Sequence, residues 1–269
     1  MVKKFADQHV IVFSIVIAVI ALILLSGSVL LFTAVFTSGI ASSGYGLSVM
    51  LVQIFARVFP ILFTIAVLFT LKLPHVMKLS SKGLLKGVMF GWLFIPIGFA
   101  LFIVEFDFSK IGLIGRDDWL LLLPIALMMF LVSIFEEFLC RGIIYNAMVN
   151  KWGAIKKAAF ISSAIFGGMH LINLLFGVTI DAVITQCIST TAFGFLFAAV
   201  YARCNNIWAV VLLHTFLNFA ASSAGLLTKS DTVFHLNGIS TIISLVSSIM
   251  AMCIGLFLLR KEIPGSRVY

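Results

Sequence analysis

Eight apolar runs, each long enough to cross a bilayer, follow one another along the chain at about 10–36, 49–73, 87–105, 119–140, 158–176, 182–202, 207–225 and 239–259. A bilayer's hydrocarbon core calls for about 20 apolar residues per helix. Backbone polar groups in lipid must also be satisfied within the segment. The expected fold is therefore all-α, a polytopic transmembrane helical bundle of about eight spans. The runs lack the period-two alternation of a transmembrane barrel. The fourth run should continue as helix to about Met148, because only Gly142 interrupts 141–148.

Charge position gives the topology. A net charge of +8 would suggest nucleic acid in a soluble protein, but only 10 % of these residues are charged, and no nucleic-acid partner is expected. With an even span count both termini share a side. Lys3, Lys4, Lys72, Lys78, Lys82, Lys86, Lys151, Lys156, Lys157, Arg203, Arg260, Lys261 and Arg267 then fall on that side. The opposite loops hold Lys110, Arg116 and Lys229 among Glu105, Asp107, Asp117, Asp118, Asp181 and Asp231. The positive-inside rule makes both termini cytoplasmic. The first run far exceeds the roughly 7–15 residues of a signal-peptide core, so "GIASS" after it is read as loop and the run as an uncleaved helix. Residues 1–269 read as a single integral-membrane domain without repeats, in a multi-pass protein placed in a bacterial plasma membrane by its minimal loops. Cys140, Cys187, Cys204 and Cys253 form no C-x-x-C and read as inert thiols.

A charge in a lipid-embedded helix costs several kcal/mol on most scales, so such residues tend to be paired and functional. "SIFEEFLCRGIIY" places Glu136, Glu137 and Arg141 in run four. Glu137 and Arg141 stand at i,i+4 and can pair, whereas Glu136 is turned by about 100°. One carboxylate is neutralised while the other faces something else, as expected of one structural glutamate beside one general base. His214 and Asn218 in run seven share the i,i+4 spacing, as do Phe166 and His170 in run five, where Gly167 and Gly168 permit close helix approach. At 1.5 Å per residue, Glu136, His170, His214 and Asn218 lie roughly 10–21 Å from the cytoplasmic ends of their helices. They could therefore line one cavity. Arg57 with Gln53 beside Pro60 could serve substrate entry, but is read as a packing or snorkelling pair. Asn173 and Gln186 could also line the cavity but are not assigned to the site, and His9, His75 and His235 are read as incidental.

Glu136-Glu137-x-x-x-Arg141, Phe166-x-x-x-His170 and His214-x-x-x-Asn218, in this order on core helices, resemble the CPBP family of intramembrane proteases. That family includes CAAX-processing endoproteases and bacterial bacteriocin-processing or immunity proteins. The resemblance covers about residues 119–222, a CPBP-like catalytic core. It implies an endopeptidase in which Glu136 and His170 activate water, while His214 and Asn218 hold the oxyanion. Glu137, Arg141 and Phe166 would brace them. Glu136, His170 and His214 could alternatively form a zinc site with an open position; the metal-free version is favoured, so no cofactor is expected. The expected partners are membrane lipid and a hydrophobic or lipid-associated peptide or protein substrate. Two other functions fit an intramembrane polar cluster. One is a non-catalytic binding or immunity protein on the same scaffold, and the other is a proton-relaying transporter, against which the lack of internal repeats weighs.

Overall fold

The computed structural model describes residues 2–36, 47–228 and 238–260. The "GIASS" stretch, Lys229, Asp231, His235, Lys261 and Arg267 lie outside the described residues. The architecture is helical, with no strand among the described residues. Seven helices are long and apolar enough to cross a membrane, or eight if a bent pair counts as one span. They are span one, Val10–Phe36; span two, Leu47–Thr70; span four, Arg116–Trp152; span five, Ile155–Phe176; span six, Ile180–Cys204; span seven, Ile207–Leu227; and span eight, Thr241–Leu258 within the helix Gly238–Leu258. The bent pair, Leu84–Phe90 with Phe94–Glu105, is span three and turns by 59°. Large apolar side chains such as Ile11, Ile15, Leu30, Leu123 and Ile249 are exposed around the rim, as lipid-facing residues should be.

Prolines interrupt the helices at places the apolar runs did not reveal. Span two breaks at Arg57, span three between Phe90 and Phe94, and span four at Leu121. In each case a proline is the third residue of the helix that restarts: Pro60 in Val58–Thr70, Pro96 in Phe94–Glu105 and Pro124 in Leu122–Glu137. The ring clashes with the carbonyl four residues back, and the missing N–H removes one hydrogen bond. Ala56, Trp92 and Leu120 are the residues whose carbonyls lose that partner. Span four nevertheless runs past Met148 to Trp152, widening into a π-helix over Phe138–Tyr145.

The core lies where spans four, six and seven meet. Leu139, Ile143, Leu196, Ala198, Val200, Val210 and Val211 have no exposed surface there. Span seven packs against spans three and four, and span six against spans five and eight. Gly87 and Gly91 let span three approach span seven: a Cβ at either would run into Ala209 or Leu213. Of the glycines expected to bring span five close, Gly167 does so, meeting Thr191 and the Cys187 carbonyl oxygen of span six. Gly168 faces open space. Asn206 fixes the start of span seven. Its side-chain oxygen accepts from the Trp208 and Ala209 amides, and its Nδ2 donates to the Ser80 and Lys82 carbonyls before span three.

Candidate active site

Glu137 and Arg141 form the ion pair that their spacing predicts, with Arg141 Nη1 donating to Glu137 Oε1 at 2.8 Å. Both side chains have no exposed surface. Such a pair offsets its desolvation better when further hydrogen bonds reach it, although Glu137 Oε2 and Arg141 Nε have none among the described residues. Arg141 Nη2 accordingly donates to the Gly194 carbonyl of span six at 2.8 Å. The guanidinium carbon lies 4.8 Å from the centre of the Phe166 ring and 5.4 Å from that of Phe197. Gly194 makes room for this, since a Cβ would stand 2.9 Å from both Arg141 Nη2 and Phe166 Cδ1.

Glu137 also binds His214. His214 Nδ1 donates to the same Oε1 at 2.8 Å, so one carboxylate oxygen joins span four to span seven through two donors. The His214 ring stacks on Phe197 with centroids 4.9 Å apart. Its position is thus set at Nδ1 and across one ring face. Nε2 is left for the cavity, and it stands 3.5 Å from Glu136 Oε2. The adjacent glutamates therefore divide as the 100° helical step requires. Glu137 is sealed in, and Glu136 keeps 18 % of its side chain exposed.

His170 is oriented in the same manner. Its Nδ1 lies 3.1 Å from the Phe166 carbonyl oxygen. A carbonyl only accepts, so Nδ1 carries the proton and a neutral ring presents an Nε2 lone pair. Phe166 stands edge-on to both histidines, with centroids 5.3 Å from His170 and 6.0 Å from His214. It packs among His170, His214 and Arg141, which is more than a bracing residue on its own helix would do.

One cavity of about 350 Å³ brings the predicted residues together: Glu136, His170, His214, Asn218 and Phe166 all line it. Glu137 and Arg141 stand behind its wall. Among the described residues no three of His, Cys, Asp and Glu are grouped so as to hold one metal ion. The set Glu136, His170 and His214 is therefore not gathered into zinc-ligand geometry here. Cys140 and Cys204 are buried and Cys187 half-buried, while Cys253 is exposed; all are free thiols.

Three residues of the site were not assigned from sequence. Asn173 and Gln186 both line the cavity and bond to each other at 2.8 Å, Asn173 Nδ2 donating to Gln186 Oε1. Arg57 also lines it, so the packing reading of that residue is incomplete. The signal was present in each case as a polar residue within an apolar run, but only the assembled bundle shows which way each one faces.

Residues 118–220 match the family described as Type II CAAX prenyl endopeptidase Rce1-like. A protein of Bacillus subtilis (strain 168) named "Putative membrane peptidase YdiL" is 35 % identical over 85 residues, which are 32 % of this chain and 30 % of that protein. The match therefore spans less than a third of the relative's length. Residues 118–220, which contain Glu136, His170, His214 and Asn218, are thus similar to the Rce1-like family, in line with the CPBP resemblance that the motifs suggested.

Proposed function

We propose that this chain is an intramembrane endopeptidase that hydrolyses a peptide bond of a hydrophobic or lipid-associated substrate near the cytoplasmic face, using water activated by Glu136 and His170. The observation that carries this reading is the single cavity lined from spans four, five and seven by Glu136, His170, His214 and Asn218. Glu136 is the carboxylate left without a partner in its own helix. His170 offers an Nε2 lone pair to the same water. As that oxygen attacks the carbonyl carbon, its proton passes to Glu136. The carbonyl oxygen becomes an oxyanion that the Asn218 amide and a protonated His214 Nε2 hold. Collapse breaks the C–N bond, and Glu136 returns the proton to the leaving amine. Glu137, fixed by Arg141, keeps His214 aimed throughout.

No metal is needed in this scheme. The short loops provide no separate recognition domain, so selection of substrate falls to the cavity and to the gaps between helices. The lysine and arginine asymmetry supports cytoplasmic termini in a bacterial plasma membrane. Reporter fusions at the C-terminus and within 226–238 test that orientation, and a cytoplasmic 226–238 segment would reverse it.

The direct test of activity is mass spectrometry of peptides released from cells carrying the wild-type protein or Glu136→Ala. Peptides that appear only with the wild type are expected. Identical peptide sets, with the biological phenotype kept by the variant, would instead favour a non-catalytic binding protein on this scaffold.

A further inference from the structure

Arg57 belongs to no motif and lies outside the segment matched at 118–220, yet it lines the same cavity as Glu136, His170 and His214. The Pro60 break accounts for its place. Arg57 is the hinge residue between Leu47–Ala56 and Val58–Thr70, where the regular hydrogen-bond ladder is interrupted. Among the described residues its side chain is hydrogen-bonded to Gln53. Nη1 donates to the Gln53 main-chain oxygen at 3.0 Å and to the Gln53 side-chain oxygen.

The guanidinium has no carboxylate partner among the described residues. Nε is enclosed and has no hydrogen-bond partner, and Arg57 makes no ion pair within 4.0 Å among the described residues. Arg141 also leaves its Nε without a partner, but unlike Arg57 it has a carboxylate, a second-helix carbonyl and two ring faces around it. A charge kept in a membrane-embedded cavity with donors left open is costly unless something completes it. The group that matches a guanidinium fork is a carboxylate, which can accept two parallel N–H bonds. Glu136 lines the same cavity but forms no ion pair with Arg57 within 4.0 Å. A carboxylate arriving on a substrate would therefore find the cation beside the reacting centre.

We infer that Arg57, clamped by Gln53 at the proline break, anchors a carboxylate of the substrate and so sets where the scissile bond lies relative to Glu136. This assignment rests on the peptidase reading above. Two sources supply the same chemistry, a free C-terminus or an acidic side chain.

The test uses the full-length protein in lipid vesicles and a synthetic library of hydrophobic peptides. Each sequence is made with a C-terminal carboxylate or carboxamide, and with one internal Glu or Gln. Cleavage is followed by mass spectrometry, and retention of the same peptides is measured on vesicles carrying Glu136→Ala. The carboxylate form from the true source should show a KM lower by about 10–100-fold than its neutral twin, with a matching gain in retention. Arg57→Gln should remove that difference and Arg57→Lys keep part of it, because a point charge replaces the fork. Preferential retention without any cleavage would sink the peptidase reading and leave the anchor standing. Equal handling of charged and neutral twins by the protein with Arg57 intact overturns the anchor, even if Arg57→Gln fails to assemble. A preference that survives in Arg57→Gln overturns it as well.

Discussion

Arg141→Met is expected to destabilise the protein by about 3–5 kcal/mol, since removing one partner strands a buried charge. The structure gives the reason in detail. Glu137 would remain with no exposed surface, its Oε2 already without a partner and its Oε1 answered only by His214. Removing both charges should hurt less than removing one. Glu137→Gln combined with Arg141→Met should therefore be more stable than Arg141→Met alone by about 2–3 kcal/mol. Activity should not follow stability. The double variant no longer has the carboxylate that holds His214 Nδ1, so turnover should fall by about 10–100-fold, the usual effect of losing a residue that orients a reacting group. Reversible unfolding in mixed micelles, followed by circular dichroism, gives the first quantity, and peptide cleavage gives the second. A double variant no more stable than Arg141→Met would show that the pair is not one coupled unit. A double variant with full turnover would show that His214 needs no help from Glu137.

Glu136→Ala, His170→Ala and His214→Ala should each abolish cleavage while leaving protein in the membrane; near-wild-type cleavage by any one of them removes that residue from the mechanism. Asn218→Ala should lower turnover by about 10²–10³-fold with substrate binding retained, as for loss of one oxyanion donor, and the split is read from kcat against binding. Gly194→Ala should cost about 1–3 kcal/mol by forcing Arg141 and Phe166 apart; an unchanged unfolding midpoint would mean that the guanidinium can shift freely. A strong chelator should leave cleavage by purified protein intact, whereas reversible inhibition, relieved by added zinc, would replace the metal-free scheme with one through Glu136, His170 and His214.

Long apolar runs report helices because lipid leaves the backbone no other way to satisfy itself, and the eight runs correspond to the observed helices within a few residues. The breaks at Arg57, before Phe94 and at Leu121 were written in Pro60, Pro96 and Pro124, but hydropathy is indifferent to a missing N–H. Spacing revealed the Glu137–Arg141 pair, since i,i+4 is a property of one helix. The bond from His214 to Glu137 joins residues 77 apart and is invisible to any local rule. Arg57, Asn173 and Gln186 were legible as polar residues in apolar surroundings, without the direction they face. Phe197 could not be told from the other 26 of the 27 phenylalanines until its ring was seen stacked on His214. Gly194 gave a faint signal. A glycine inside a helix costs about 1 kcal/mol against alanine and so implies a reason, which here is the passage of Arg141.

The cavity wall is drawn from two stretches of chain. Leu22, Leu25 and Arg57 reach it from spans one and two, ahead of residue 118, while Glu136, His170, His214 and Asn218, proposed above to act on the carbonyl, all come from within 118–220. A chimera that kept the later stretch and received foreign helices in place of the first two would retain its bond-breaking apparatus behind a new front. Selection or an engineer can thus retune what the protein accepts by editing helices that take no part in hydrolysis. Variation in the first two spans should accordingly redirect the protein to other peptides before it silences it.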